Sequence, residues 1–239
     1  MKTTVRFAVV LGVAMLLGAC AQRELAVVAS VPDPYAGDDG RVWSSAALGF
    51  EWPSDRAPAF HLDLLISHRI IAPAIAAHRS DIALWRVHRR AARDVAGHRL
   101  SLFVYARPEA GDAVLDAVAR HPLVRRLQEH GALRSIEFGR PAQSRRPERA
   151  DTSDRTWSPA LQRAWPYFIM GVSETWVALI GEHVPEPATA GSHESVDSMI
   201  ERYRAGAERI SELWRDEGGH AFFHHLSALF GYEPLLLRF

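Results

Sequence analysis

The sequence predicts an α+β fold in which a small β-β-α-β sheet layer packs against a C-terminal set of helices. Three observations carry this. Residues 98–105 (HRLSLFVY) are rich in aromatic and branched apolar side chains and follow Gly97, as a strand leaving a turn does. Residues 133–138 (LRSIEF) alternate with strand period and come after a helical stretch stopped at Gly131. From Ser158 onward the apolar residues recur at helical spacing.

Taken in order, Phe60–Ala77 is apolar at 62, 65, 66, 70 and 71, a helix that Pro73 kinks or ends. Residues 82–90 fit either a helix or a strand, and pairing with 98–105 as a hairpin turning near Arg93 to Gly97 is the favoured reading. Pro108 and Glu109 open an amphipathic helix with Val114, Leu115 and Val118 on one face, and Pro122 begins a second one reaching Leu127. Residues 140–157 are polar and contain proline, which reads as a mobile loop to the helical half, with Arg145, Arg146 and Arg149 solvated. Ser158-Pro159 caps a helix whose stretch from Trp165 to Ile180 is apolar enough to be a buried core helix, the leading reading, with a partner- or membrane-facing helix as the alternative. Glu174 inside it then calls for an arginine or histidine partner. Val196, Met199, Ile200, Tyr203, Ala207, Ile210 and Leu213 define one face of a long helix ended by Gly218-Gly219. A last helix over His220 to Phe230 is expected to bury Phe222, Phe223, Leu226, Leu229 and Phe230, and the apolar end Leu235 to Phe239 to dock on the body.

The amino terminus carries a different kind of information. Lys2 and Arg6 precede an apolar run from Phe7 to Leu17, too short for the roughly 20 residues of a bilayer span. It ends in Leu17-Gly18-Ala19-Cys20, which resembles the lipobox of bacterial lipoproteins. That resemblance implies a signal peptide over 1–19, cleavage before Cys20, and a Cys20 carrying a diacylglyceryl group on its thiol, with an acyl chain such as palmitate on the new amino terminus. Two or three chains, at about 0.8 kcal/mol per buried methylene, hold a protein on a membrane where one gives marginal binding. Ala21 in place of Asp implies sorting to the cell outer membrane rather than the inner one. Ala19-Cys20-Ala21 also has the small-x-small form of an ordinary secretory signal, which would leave Gln22 as the first residue.

The organisation expected is therefore signal peptide 1–19, lipidated Cys20 and tether 20–58, and one globular domain 59–239, made of a sheet layer 59–139, a loop 140–157 and a helical half 158–239. A flexible tether of that length spans roughly 30 to 40 Å.

Composition narrows function by exclusion. Acidic and basic side chains balance at 28 each, and loss of Lys2 and Arg6 with the signal leaves the mature chain slightly acidic. A general nucleic-acid binder carries a basic excess, so no nucleic-acid partner is expected. Cys20 is the sole cysteine, which leaves no thiol for a disulfide or a cysteine nucleophile. The sequence contains neither a Gly-x-Ser-x-Gly elbow, nor a Walker loop, nor a dinucleotide-binding glycine fingerprint. A lipid-anchored, non-catalytic binding or assembly module of the cell envelope, with an envelope protein or glycan as partner, is the leading expectation.

Two clusters offer chemistry beyond that. His220 and His224 stand four apart, on one side of a helix, and with Glu217 could hold a divalent metal or serve a histidine-dependent enzyme. His-Arg pairs recur at 68-69, 78-79, 88-89 and 98-99. Ten residues rotate a helix by about 280°, so the pairs do not align on one. On strands, however, Arg86, His88, Arg89, Arg90 and Arg99 could form an anion-binding or glycan-binding face.

Overall fold

A computed structural model describes residues 40–187 and 194–233. The α+β class stands, and the sheet has four strands: β1 (Val42–Phe50), β2 (Ile82–Ala91), β3 (His98–Ala106) and β4 (Leu133–Gly139), in the order β2-β3-β1-β4. Every neighbouring pair is antiparallel. Residues 42–50, assigned from the sequence to the tether, are thus an inner strand, and the domain begins well before residue 59. Helix α1 (Phe60–Ala77) connects β1 to β2. Helices α2 (Pro108–Arg120) and α3 (Pro122–Glu129) connect β3 to β4. Each connection passes over a strand that belongs to the other, which is the split βαβ topology.

The strand period separates two sheet faces. Ala46, Leu48 and Phe50 of β1 and Leu100, Leu102 and Val104 of β3 point into the core, where Leu65, Ile66 and Ile70 of α1 and Val114, Leu115 and Val118 of α2 meet them. Burial of this face is the main stabilising term, at roughly 25 cal/mol per Å² of apolar surface. Proline does not end α1. The helix widens to a π-turn over Ser67–Ile71, where the Ala72 amide reaches the Ser67 carbonyl, and this loosened turn admits Pro73.

The C-terminal helices form a further layer. Helix α5 (Val196–Asp216) buries Met199, Tyr203 and Gly206 and packs on α1. The Tyr203 hydroxyl and His68 Nδ1 share a hydrogen bond at 2.8 Å. Burial pushes the Tyr203 pKa up to about 12 and lowers that of His68. Helix α4 (Pro159–His183) lies along the edge strand β2, where the Ser173 hydroxyl accepts the outward-facing Val87 amide at 3.2 Å. That contact covers a sheet edge otherwise open to strand addition. Ser158 caps α4 as expected, accepting the Leu161 amide. Pro166 removes the donor that the Gln162 carbonyl would use, and the Ser153 hydroxyl supplies one instead at 2.7 Å.

Two burial expectations are overturned. Helix α4 buries only Pro166, Ser173 and Ile180 fully, because one side lies on the domain while Leu161, Phe168 and Val172 face outward. At the C-terminal end a π-turn (Gly219–His224) precedes the short helix α6 (His225–Leu229), and Phe223, Leu229 and Phe230 are exposed. The residue pairing expected of Glu174 does occur. It meets Arg79 at 3.3 Å and the Trp85 indole at 3.4 Å, on the surface rather than in the core. The signal, Cys20 and the Leu235 to Phe239 segment lie outside the described residues.

Candidate anion-binding site

The second sheet face presents Trp43, Ser45 and Ala47 of β1, Arg86, His88 and Arg90 of β2, Arg99, Ser101, Phe103 and Tyr105 of β3, and Glu137 of β4. Register sets the neighbours: Arg86 lies opposite Phe103, His88 opposite Ser101, and Arg90 opposite Arg99. Four of the five residues expected to form a cationic face therefore share one. Arg89 does not, since strand alternation sends it to the core side, where its Nε donates to buried Asp63 at 3.0 Å.

Acids neutralise two of the remaining arginines. Arg90 grips Asp94 in the hairpin turn, with one donor at 2.9 Å, and Arg99 meets Glu137 at 3.4 Å. The Arg90 pair holds the Asp94 carboxyl at about 2, below its ordinary 3.8, with the Gly97 and Ala96 amides assisting. A depressed acid contributes while ionised, so this contact is present above pH 3.8 and lost as pH falls through about 2. In an acid titration followed by NMR, the Gly97 amide is expected to move with a midpoint near 2. A midpoint near 3.8 would show that the pair does not form in solution.

Arg86 is different. Its guanidinium lies over the Phe103 ring, 4.5 Å from the centroid, and one nitrogen donates to the Thr152 carbonyl at 3.2 Å. Its Nε is buried without a hydrogen-bond partner. Arg146 approaches the same ring, 5.6 Å from the centroid. Among the described residues neither forms an ion pair with a carboxylate. Burial, and then the Arg146 charge, lowers the Arg86 pKa to about 10, which still leaves it cationic at neutral pH. Burial first, and then Arg86 and Arg90, lower the pKa of His88 beside them.

Arg146 arrives on the segment that the sequence suggests is a mobile loop. It is strapped across the sheet instead. The Trp43 amide donates to the Arg146 carbonyl at 3.0 Å, and the Trp43 indole donates to the Glu148 and Arg149 carbonyls, both at 3.1 Å. The Ser144 hydroxyl donates to the Trp43 carbonyl at 2.6 Å, and the Tyr105 hydroxyl to the Pro147 carbonyl at 3.2 Å. Trp43 and Tyr105 pack against each other with centroids 5.1 Å apart. Two like charges thus stand about one aromatic ring, Arg86 held by the Thr152 carbonyl and exposed Arg146 placed through the hydrogen bonds of its backbone. The cost of bringing them together falls if an anion bridges them.

The other candidate residues do not gather into a site. His220 and His224 stack with ring centroids 5.2 Å apart, and the wider π-turn brings in His225 at 5.3 Å from His220. Among the described residues, however, no group of three His, Cys, Asp or Glu is placed to hold a metal ion, so Glu217, His220 and His224 form no metal centre here. The four His-Arg pairs have separate surroundings. His68 serves Tyr203, His78 ends α1, His88 is on the open face, and His98 is buried with Asp63. A cleft of about 260 Å³ bordered by Trp52, Arg93, His98 and Arg134 lies at the hairpin end of the sheet. His98 itself is wholly buried. Comparison with known proteins finds no matching family model, curated protein or solved structure.

Proposed function

We propose that this protein is a lipid-anchored, non-catalytic binding module of the cell envelope that holds a phosphate- or sulfate-bearing ligand, such as an anionic glycan, between Arg86 and Arg146. The observation that carries the reading is the convergence of two arginines on Phe103 without a carboxylate, among the described residues, to balance either. Arginine's planar fork suits an oxyanion, and the Phe103 ring beneath limits its rotation.

Titration of the non-lipidated mature chain with a sulfated oligosaccharide, and separately with inorganic phosphate, tests this. A hydrogen bond to a charged group contributes about 1.5–3 kcal/mol, so Arg86→Ala is expected to weaken binding by roughly 10- to 150-fold. Arg90→Ala and Arg99→Ala, whose charges Asp94 and Glu137 already meet, should change it little. Equal affinity for wild type and Arg86→Ala would end the proposal.

The anchor belongs to the same reading and has its own test. Cys20→Ser is expected to abolish incorporation of labelled fatty acid and to leave the precursor uncleaved before residue 20. A mature amino terminus at Gln22 would replace the anchor with an ordinary secretory signal.

A further inference from the structure

We propose that the outer face of α4 is a self-association surface, on which a second copy of this chain docks as an antiparallel helix. Leu161, Trp165, Phe168, Val172, Thr175 and Leu179 succeed one another at alternating spacings of four and three residues. This is the heptad seam of packed helices, drawn over about 27 Å. Leu161, Phe168 and Val172 of the seam are 47%, 44% and 44% exposed, while Trp165, packed on Trp157 with ring centroids 4.9 Å apart, and Leu179 are half-buried. Along its free flank lie Ala164, Gly171 and Ala178, one per heptad, all exposed, and a Cβ added at Gly171 would meet nothing. A helix facing water alone carries charges on such a stripe, and this one has none from residue 164 to 179. Glu174, the sole charge in that stretch, sits off the stripe and is turned to Arg79 and Trp85.

Complementarity within the stripe selects a second copy over a lipid surface. A two-fold axis beside residue 170 sets Leu161 of one copy opposite Leu179 of the other, Trp165 opposite Thr175, and Phe168 opposite Val172. Trp165 and Phe168 then face smaller residues and Leu161 faces another leucine, so the same patch meets itself, as a two-fold contact requires. The small residues at 164, 171 and 178 allow close approach on the open side. A helix held on anionic lipid has a Lys/Arg-rich polar face, whereas the flanks of α4 carry Glu174 and Glu182 against Arg163. A helix pair of this length buries on the order of 1,000 Å², the low end of specific interfaces, so a weak, concentration-dependent dimer is expected.

The test uses the mature chain with Cys20→Ser, which removes both lipid and the native thiol. Sedimentation should show a dimer forming by about 100 μM, and Phe168→Glu should leave a monomer with unchanged far-UV circular dichroism. Single cysteines give the geometry independently. Across the proposed axis, residue 171 is displaced from its own copy by about 3 Å and residue 175 by about 15 Å along the helix. A short bis-maleimide that spans the ~8–10 Å between packed helices should therefore link Gly171→Cys to itself and leave Thr175→Cys unlinked. A chain that stays monomeric at that concentration, a Gly171→Cys variant that does not cross-link, equal linking at 175, or a monomer that floats with anionic vesicles through this face would each overturn the proposal.

Discussion

Asp63→Ala is expected to destabilise the fold by about 3–5 kcal/mol, the range for removing one partner of a buried charge pair. Asp63 is fully buried on α1, where its carboxylate accepts Arg89 Nε at 3.0 Å and faces His98 Nε2 at 3.1 and 3.2 Å. Three elements, α1, β2 and β3, meet on this one group. His98 cannot turn to water: its ring lies 4.6 Å from Phe50 and 5.3 Å from Phe60, and its Nδ1 already lacks a partner. Arg89 can rehydrate in part, since a third of its side chain is exposed, but it also leaves its place against Phe60 and Trp176. Urea denaturation should show the loss as a lower midpoint with an unchanged slope. Asp63→Asn keeps an acceptor for His98 and should cost less. If alanine costs under about 1 kcal/mol, the cluster is not the junction described, because even a single net hydrogen bond contributes that much.

Trp43→Ala is expected to cost about 3–5 kcal/mol as a buried large-to-small change, and it has a second consequence. Trp43 is nearly fully buried on the side of the sheet opposite α1, and its indole holds the segment that carries Arg146. Without it, Arg146 is no longer fixed beside Phe103. Trp43→Ala should therefore weaken anion binding even at temperatures where the domain remains folded. Trp43→Phe separates the effects, since it keeps most of the packing and loses both indole hydrogen bonds. It should cost about 1–2 kcal/mol and still loosen the site. Unchanged anion affinity in both variants would mean that the strap does not position Arg146.

Much of the α+β layer was legible because its signals are local. The hairpin turning at Gly97, the proline-started helices at 108 and 122, the stop at Gly131 and the Ser158 cap all follow from residue chemistry within a few positions. Strand β1 carries a weak local signal because VWSSAALGF has small residues where strands usually alternate apolar with polar. Their reason lies in neighbours distant in sequence. A Cβ at Gly139 would come within 2.6 Å of the Ser45 hydroxyl oxygen, one at Gly49 within 2.7 Å of that of Ser135, and one at Gly111 within 3.0 Å of that of Ser44. Helix α4 misled in the opposite way. Its apolar composition points first to burial and only second to a partner-facing helix, yet Leu161, Phe168 and Val172 face outward.

The anion site divides similarly. Strand period alone predicts that Arg86, His88 and Arg90 share a face, and equally that Arg89 leaves it. The acids that engage Arg90 and Arg99 were less visible: Asp94 is a turn neighbour, while Glu137 reaches Arg99 only through the sheet order. Arg146 had no sequence signal at all, because its position depends on hydrogen bonds to Trp43 across more than a hundred residues.

An anion shared by Arg86 and Arg146 is reported directly by the Nε–H resonance of Arg86. On titration of the non-lipidated mature chain with inorganic phosphate, the Arg86 signal should shift saturably in wild type and remain still in Arg146→Ala. An Arg86 signal that does not respond to phosphate, or one that responds equally without Arg146, would contradict the account.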